Sequence, residues 1–432
     1  MSATIHRFPT PSTSSPKIRP KRLFPWALVR RQWLPRFIAT PIFGKPLAPN
    51  SAEWSHIQSA LMQGDEPMDK VTEWMFAGNV RERKTQFEQA LTQGIQSLEQ
   101  PSAELVQFFA LIDAIPEWLD ESQLRLAVRT AHLTGMIGYY VLRDMALMGG
   151  YAYFNSMNQT LARAGALHAD TGARLGETGK WLQDVSEENG LTRFGDGFIT
   201  TIRVRFVHAL IRRHLQSRED WSNNDWGIPI NQVDMTATYL AFGPVSLTGS
   251  RLFGFMPTRK ESAATLHLWR YVGWLSGVHT EFLAQTEGDG LRKLYHTFLT
   301  HRLPDEKVRL LGRSLMQEPL SRPVADEARH PLKAKLRRFY WYQQHLSNSS
   351  LILDPVQRYR LGIPWYAAPW APLLSFPVNF VKFGWARLRG EAALEALAAR
   401  HREGQKRLAG SYFIDQKADI IQPKADHPAH IG

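Results

Sequence analysis

Of the 15 histidines in the chain, His208 stands in the most suggestive setting. It lies in Arg203-Val-Arg-Phe-Val-His208-Ala-Leu-Ile-Arg-Arg213, 30 positions after Thr178 of Arg174-Leu-Gly-Glu-Thr178. On a helix, Val204, His208, Ile211 and Leu215 share one stripe, so the imidazole faces an apolar interior. Arg203, Arg205, Arg212 and Arg213 fall largely off that stripe. A neutral imidazole so placed can be the axial ligand of a haem iron, if its second nitrogen meets a carbonyl or carboxylate. Its commoner role is a hydrogen-bonded core residue. Arg174 and Thr178, four apart, share a helix face. A guanidinium and a hydroxyl suit haem propionates and the oxygen-binding face, but the pair also suits an ordinary solvated face. The residues alone leave both readings open.

Composition narrows the chemistry. The chain has no cysteine, which excludes disulfides, thiolate-ligated haem, iron–sulfur clusters and covalent haem attachment. Any haem is therefore held non-covalently. Two Glu-x-x-His pairs, Glu53/His56 and Glu327/His330, have the spacing of di-iron helical bundles. Glu53 sits at the edge of a basic arm and His330 precedes a proline, so chance spacing is the simpler account. There is no Walker loop, G-x-G-x-x-G, G-x-S-x-G or H-E-x-x-H. Gly273-x-x-x-Gly277 suits close helix packing.

The elements that must position these residues read as helices. Leu126–Leu142, Gln159–Ala166, Thr171–Ser186, Gly197–Gln216, Asn231–Phe242 and Ser262–Gln285 carry helical periodicity, with Asp170, Thr171 and Asn231 as starts. No Asn-Gly hairpin or strand alternation appears. The fold class is all-α: a single large helical domain over 53–395, followed by a charged helix and tail over 396–432. The region 300–395 reads as less regular, and Ile363–Pro372 as a loop or short helix packed on the core. The apolar run from Thr134 to Met148 is interrupted by Arg143 and Asp144, and no stretch reaches membrane-spanning length.

Charge is concentrated at the start. Nine cations precede the first acid, Glu53, so residues 1–52 hold +9 of the net +12. The basicity belongs to this arm, so a nucleic-acid surface over the whole molecule is not implied. Residues 17–47 interleave cations with aromatics and prolines, and would either lie on an anionic membrane or pack on their own domain. No signal peptide is read, and the expected location is cytoplasmic, peripheral to a membrane if the arm binds one.

The ordered set Arg174-x-x-x-Thr178, His208-Ala, Trp226-Gly-Ile-Pro-Ile-Asn231 and Leu268-Trp-Arg-Tyr-Val-Gly-Trp-Leu-Ser-Gly-Val278 resembles the catalytic domain of rubber oxygenases (latex clearing proteins) and MpaB oxygenases. The similarity is clearest over 120–300. The resemblance implies a globin-like helical core, non-covalent haem b, and dioxygen-dependent cleavage of a C=C bond in an apolar or isoprenoid substrate. It implies His208 as the proximal iron ligand, with Arg174 and Thr178 lining the cofactor pocket. Two positions depart from the family. Glu177 stands where rubber oxygenases have lysine, and Asn158 where they have a distal glutamate. Glu177 is then either a proton acceptor on that side or a solvated carboxylate. The alternatives are a haem-binding sensor of the same fold and a helical docking protein without haem.

Overall fold

Helices begin wherever the sequence supplies a cap. In the computed structural model, which describes residues 46–165, 171–301, 305–324 and 327–411, the first is α1 (Ser51–Ala60). Its Asn50 accepts from the Glu53 amide while Glu53 accepts from the Asn50 amide, a reciprocal cap worth about 1 kcal/mol. There follow α2 (Glu66–Phe76), α3 (Val80–Gln93), α4 (Ala103–Asp113), α5 (Glu121–Thr134), α6 (Met136–Tyr140), α7 (Met148–Tyr153), α8 (Asn155–Arg163), α9 (Thr171–Val185) and α10 (Asp196–Gln216). Beyond these lie α11 (Asn223–Trp226), α12 (Gln232–Leu240), α13 (Ser246–Leu252), α14 (Arg259–Leu275), α15 (Glu287–Phe298), α16 (Glu306–Gln317), α17 (Pro331–Ser350), α18 (Pro355–Leu361), α19 (Trp370–Leu388) and α20 (Glu391–Ser411). No strand occurs among the described residues, so the fold is all-α as the periodicity indicates. Residues 17–45 of the basic arm, Asp170 and the tail beyond Ser411 lie outside the described residues.

Apolar side chains gather in three clusters. The largest joins α1–α4 to α10, α12 and α14, with Phe87, Phe108, Phe198 and Leu275 buried. A second lies between α7, α16 and α17 around Tyr151, Leu315 and Leu346. The third, around Val141, Phe253 and Phe383, ties the middle of the chain to α19 and α20.

The predicted helices at 171–186, 197–216 and 231–242 appear within two residues of those bounds. Asn231 caps α12 by accepting from the Val233 and Asp234 amides. The long helix expected at 126–142 is instead divided. Gly135 adopts a φ of +55°, ending α5, and the chain then passes through α6 into a π-helical segment, Val141–Leu147. A second π-helical segment, Ala241–Val245, contains Pro244 and packs against the first. Such wide turns cluster at functional sites. The helix expected to reach residue 285 stops at Leu275 because Gly277 turns with φ +87°.

The region read as irregular holds two of the longest helices, α17 and α19. Pro331 occupies the first turn of α17, where its missing N–H costs nothing. Ile363 and Ala367 of the aromatic segment are buried, but Trp365 points outward with 93% of its surface exposed. The expectation that its aromatic rings pack on the core fails there.

Candidate functional site

α9 and α10 form the frame of the site. They are joined by residues 186–195, so short a connection that the helices run antiparallel. The turn is closed by backbone: a Cβ at Gly190 or Gly197 would sit 2.0 or 2.5 Å from the Asp184 carbonyl oxygen. Only glycine permits that approach. The Trp181 indole donates to Thr201 Oγ1 at 3.0 Å and fixes the register. Counting back along α9 and forward along α10 from that pair, Thr178 falls level with Val204 and Arg174 level with His208.

His208 is half-buried, with its Nδ1 fully enclosed and without a hydrogen bond. Burial pushes its pKa down to about 4; Arg212 adds to this and Asp65 opposes it. The ring is therefore neutral at pH 7, with a lone pair to offer. Val204 and Ile211 beside it are half-buried and Leu215 is buried. The arginines correct the sequence reading. Arg205 and Arg212 are 1% and 2% exposed, although the apolar stripe leaves them outside. Arg205 reaches Asp65 with Nε at 2.6 Å and Nη2 at 2.7 Å, donates to the Leu275 carbonyl at 3.0 Å, and lies over the Phe108 ring. Arg212 meets Asp69 at 3.3 Å. Two carboxylates from α2 and the turn before it thus draw two guanidiniums inward.

Arg174 is half-buried, its Nε enclosed without a partner, and its guanidinium hydrogen-bonds the buried Tyr151 hydroxyl. Thr178 is exposed and donates to the Arg174 carbonyl at 3.0 Å. Glu177 is exposed on the same helix. Asn158 is buried, and its amide donates to the Gly150 and Phe154 carbonyls, both at 2.9 Å, bridging the break between α7 and α8. By this count Arg174 lies level with His208 and Thr178 one turn nearer the connection, but their partners differ: Arg174 reaches Tyr151 and Thr171, while Arg212 and Asp65 are the charges acting on His208. The Asn158 amide is spent on backbone.

A neutral imidazole with no competing hydrogen bond and a guanidinium with an unused N–H, at one level of two packed helices, suit the iron and a propionate of a haem. The Nδ1 of His208 lacks the second partner that axial histidines ordinarily have. Among the described residues no cluster of three or more His, Asp or Glu is arranged to hold a metal ion. The Glu-x-x-His pairs are otherwise engaged: Glu53 caps α1 and pairs with Arg292, His56 stacks on Phe282, and Glu327 pairs with Arg338.

Sequence reasoning missed a second constellation. Asp144, in the first π-helical segment, is fully buried and accepts from Arg143 at 2.6 Å, His345 Nδ1 at 2.8 Å and Asn348 at 2.8 Å. Arg143 and Arg322 both reach Glu318, at 2.9 and 2.7 Å, and Arg322 lies 3.2 Å from His345 Nε2. Burial would raise the Asp144 pKa, but His345 and Arg143 outweigh it and hold it low. Burial takes His345 down to about 4, so its Nδ1–H donates to Asp144 and its Nε2 accepts from Arg322. Two guanidiniums and two carboxylates cancel around a neutral imidazole. The signal in the sequence is the Arg143-Asp144 pair interrupting an apolar run.

The chain matches the family described as the ER-bound oxygenase mpaB/B'/rubber oxygenase catalytic domain over residues 138–383. It is 23% identical over 205 residues to a rubber oxygenase from a Streptomyces species, an alignment covering 47% of this chain and 48% of that one. The chain therefore spans about half the length of that curated relative. A latex clearing protein in its closed state aligns with a TM-score of 0.53 and 17% identity, covering 81% of this chain and 91% of that chain, which shows a shared helical fold.

Proposed function

The chain belongs to the mpaB/rubber oxygenase catalytic-domain family, and from that premise we propose that it is a haem b-dependent oxygenase. Its substrate is an apolar alkene, an isoprenoid chain being the case the resemblance implies, which it oxidises or cleaves at a C=C bond with dioxygen. The observation that carries the reading is His208: an enclosed, neutral imidazole without a hydrogen bond, level with Arg174 on the adjoining helix.

His208 would hold the iron, and a haem there would supply the redox centre that lets dioxygen react with an alkene. Each residue then has a stated task. The His208 ring stays unprotonated above about pH 4, which keeps its lone pair available. Arg174 offers its free N–H to a propionate while Tyr151 holds its other end. Thr178 ties its hydroxyl to the Arg174 carbonyl and keeps that turn of α9 regular. Glu177, the carboxylate next to Thr178 in sequence, is exposed and would act as proton acceptor only from the solvent side of α9. The apolar side chains around α9 and α10 exclude water from the reacting alkene.

One observation favours a second reading. The Asn158 amide is committed to two backbone carbonyls, so that position offers no acid or base. A haem sensor of this fold would look the same.

Absorption spectroscopy of the purified chain after haem supplementation tests both. A Soret band that His208→Ala abolishes or shifts is expected. No Soret band would overturn both readings in favour of a helical docking protein without haem, and a band unchanged in His208→Ala would remove His208 from the site. Oxygen uptake with an isoprenoid alkene then separates oxygenase from sensor.

A further inference from the structure

Helix α19 is built inside out. The stripe it turns toward the protein is small or polar: Ala371, Ser375, Asn379 and Ala386, with Phe383 the one large apolar member. The stripe it turns to solvent is apolar: Leu374, Val378, Val381, Trp385 and Leu388 are 59–82% exposed. Burying such side chains is what normally holds an amphipathic helix on its domain. The exposed surface continues onto α17, where Leu332, Leu336 and Phe339 face outward and the Tyr340 and Trp370 rings meet at 6.4 Å. Trp365 extends it on the loop between them.

The charge along these helices is mostly positive, although Arg338 and Arg387 are paired with Glu327 and Glu261. From residue 328 to 390 the sequence holds ten Lys or Arg and a single carboxylate, Asp354. Lys333, Lys335 and Arg389 make no ion pair among the described residues, and Arg389 lies over the Trp385 ring. Exposed aliphatics with tryptophans and tyrosines at the edges, rimmed by cations, match a helix lying in the plane of a bilayer surface. No helix among the described residues is long and apolar enough to cross a membrane.

We propose that the α17–α19 face docks the protein onto an anionic lipid surface. Charge decides among the possible occupants. A second copy would bring the same cations against these. The chain's own first 45 residues carry nine cations and no carboxylate, a charge that disfavours them as the occupant of this face. Anionic headgroups attract both the helices and their rim, and the bilayer interior accepts the apolar stripe. The inference concerns a surface away from His208 and holds with or without the cofactor.

The test is co-sedimentation of the full-length chain with vesicles of phosphatidylcholine, with and without about one third phosphatidylserine. Binding to the phosphatidylserine vesicles is expected, at least about tenfold weaker without the anionic lipid or at high salt. Leu374→Glu/Val378→Glu/Val381→Glu should lose binding at least about tenfold with its thermal unfolding unchanged, because none of the three packs inward. Lys333→Glu/Lys335→Glu, which leaves the apolar stripe intact, should lose the preference for phosphatidylserine. Wild-type binding by the triple variant would overturn the proposal, as would loss of all binding on deleting residues 1–45 alone. So would a wild type that ignores vesicles and forms dimers that the triple variant does not.

Discussion

Helices α10 and α19 differ by only two residues in length and obey opposite rules. α10 buries two guanidiniums and encloses an imidazole nitrogen, while α19 sends leucine, valine and tryptophan into solvent. What settles α10 is pairing. Asp65 meets Arg205 with two short hydrogen bonds, so the cost of desolvating the pair is offset by charge-assisted contacts. α19 answers an inward demand only near its end, where Arg387 donates to the buried Glu261 at 3.1 and 2.7 Å; the rest of its small inner stripe lies close, with Asn379 donating to the Phe253 carbonyl. A helix's burial pattern is thus set by what waits for it across the interface, and hydrophobicity alone misassigns both.

The contrast can be broken at its strongest point first. Arg205→Met leaves Asp65 buried and unpaired, and urea unfolding should show a loss of about 3–5 kcal/mol. Adding Asp65→Leu should recover most of it, and no recovery would mean the guanidinium holds α10 through Leu275 and Phe108 instead. Next is acid. His208, His345, His296 and His132 all have pKa values lowered to about 4 from 6.5, mainly by burial. The unfolded chain takes up these protons as pH falls below 6.5, and the folded chain does not until about 4. Stability is therefore full above pH 6.5 and lost toward pH 4, on the order of 1–3 kcal/mol per buried ring. His208→Leu should flatten that slope by one proton's share, measured by urea unfolding at several pH values. The smallest effect is expected on α19: Leu374→Gln/Val378→Gln should change stability by no more than about 0.5 kcal/mol, since both side chains face water. A loss of 2 kcal/mol or more, the cost typical of a truncated core side chain, would show that the stripe is covered.

Local periodicity was enough to read α9, α10 and α12 to within two residues, because their ends are written in nearby residues such as Asn231. The candidate site was read from one helix pair: counting along two regular helices joined by a short turn puts Arg174 level with His208. Contacts across long separations could not be read this way. Arg205 finds Asp65 at a separation of 140 residues, and His345 finds Asp144 at 201, so no stripe on either helix foretells them. The π-helical segments differ: the second contains Pro244, whose missing N–H interrupts the helical ladder, while the first, Val141–Leu147, carries no such local mark. The region 300–395 read only as less regular, because nothing local in Trp370–Leu388 says whether its apolar face meets another element.

The glycine-closed turn between α9 and α10 also bears on the order in which the molecule assembles. Its anchoring bond, from Trp181 to Thr201, joins residues only 20 apart. Loops of that length close fast, and contacts between near neighbours in sequence need little chain entropy to be lost first. The Asp144–His345 network must wait until residues 201 apart have met. The pair of helices bearing His208 and Arg174 is therefore expected among the first tertiary structure to form, giving mutations in the turn φ-values near one and mutations in the Asp144 network φ-values near zero.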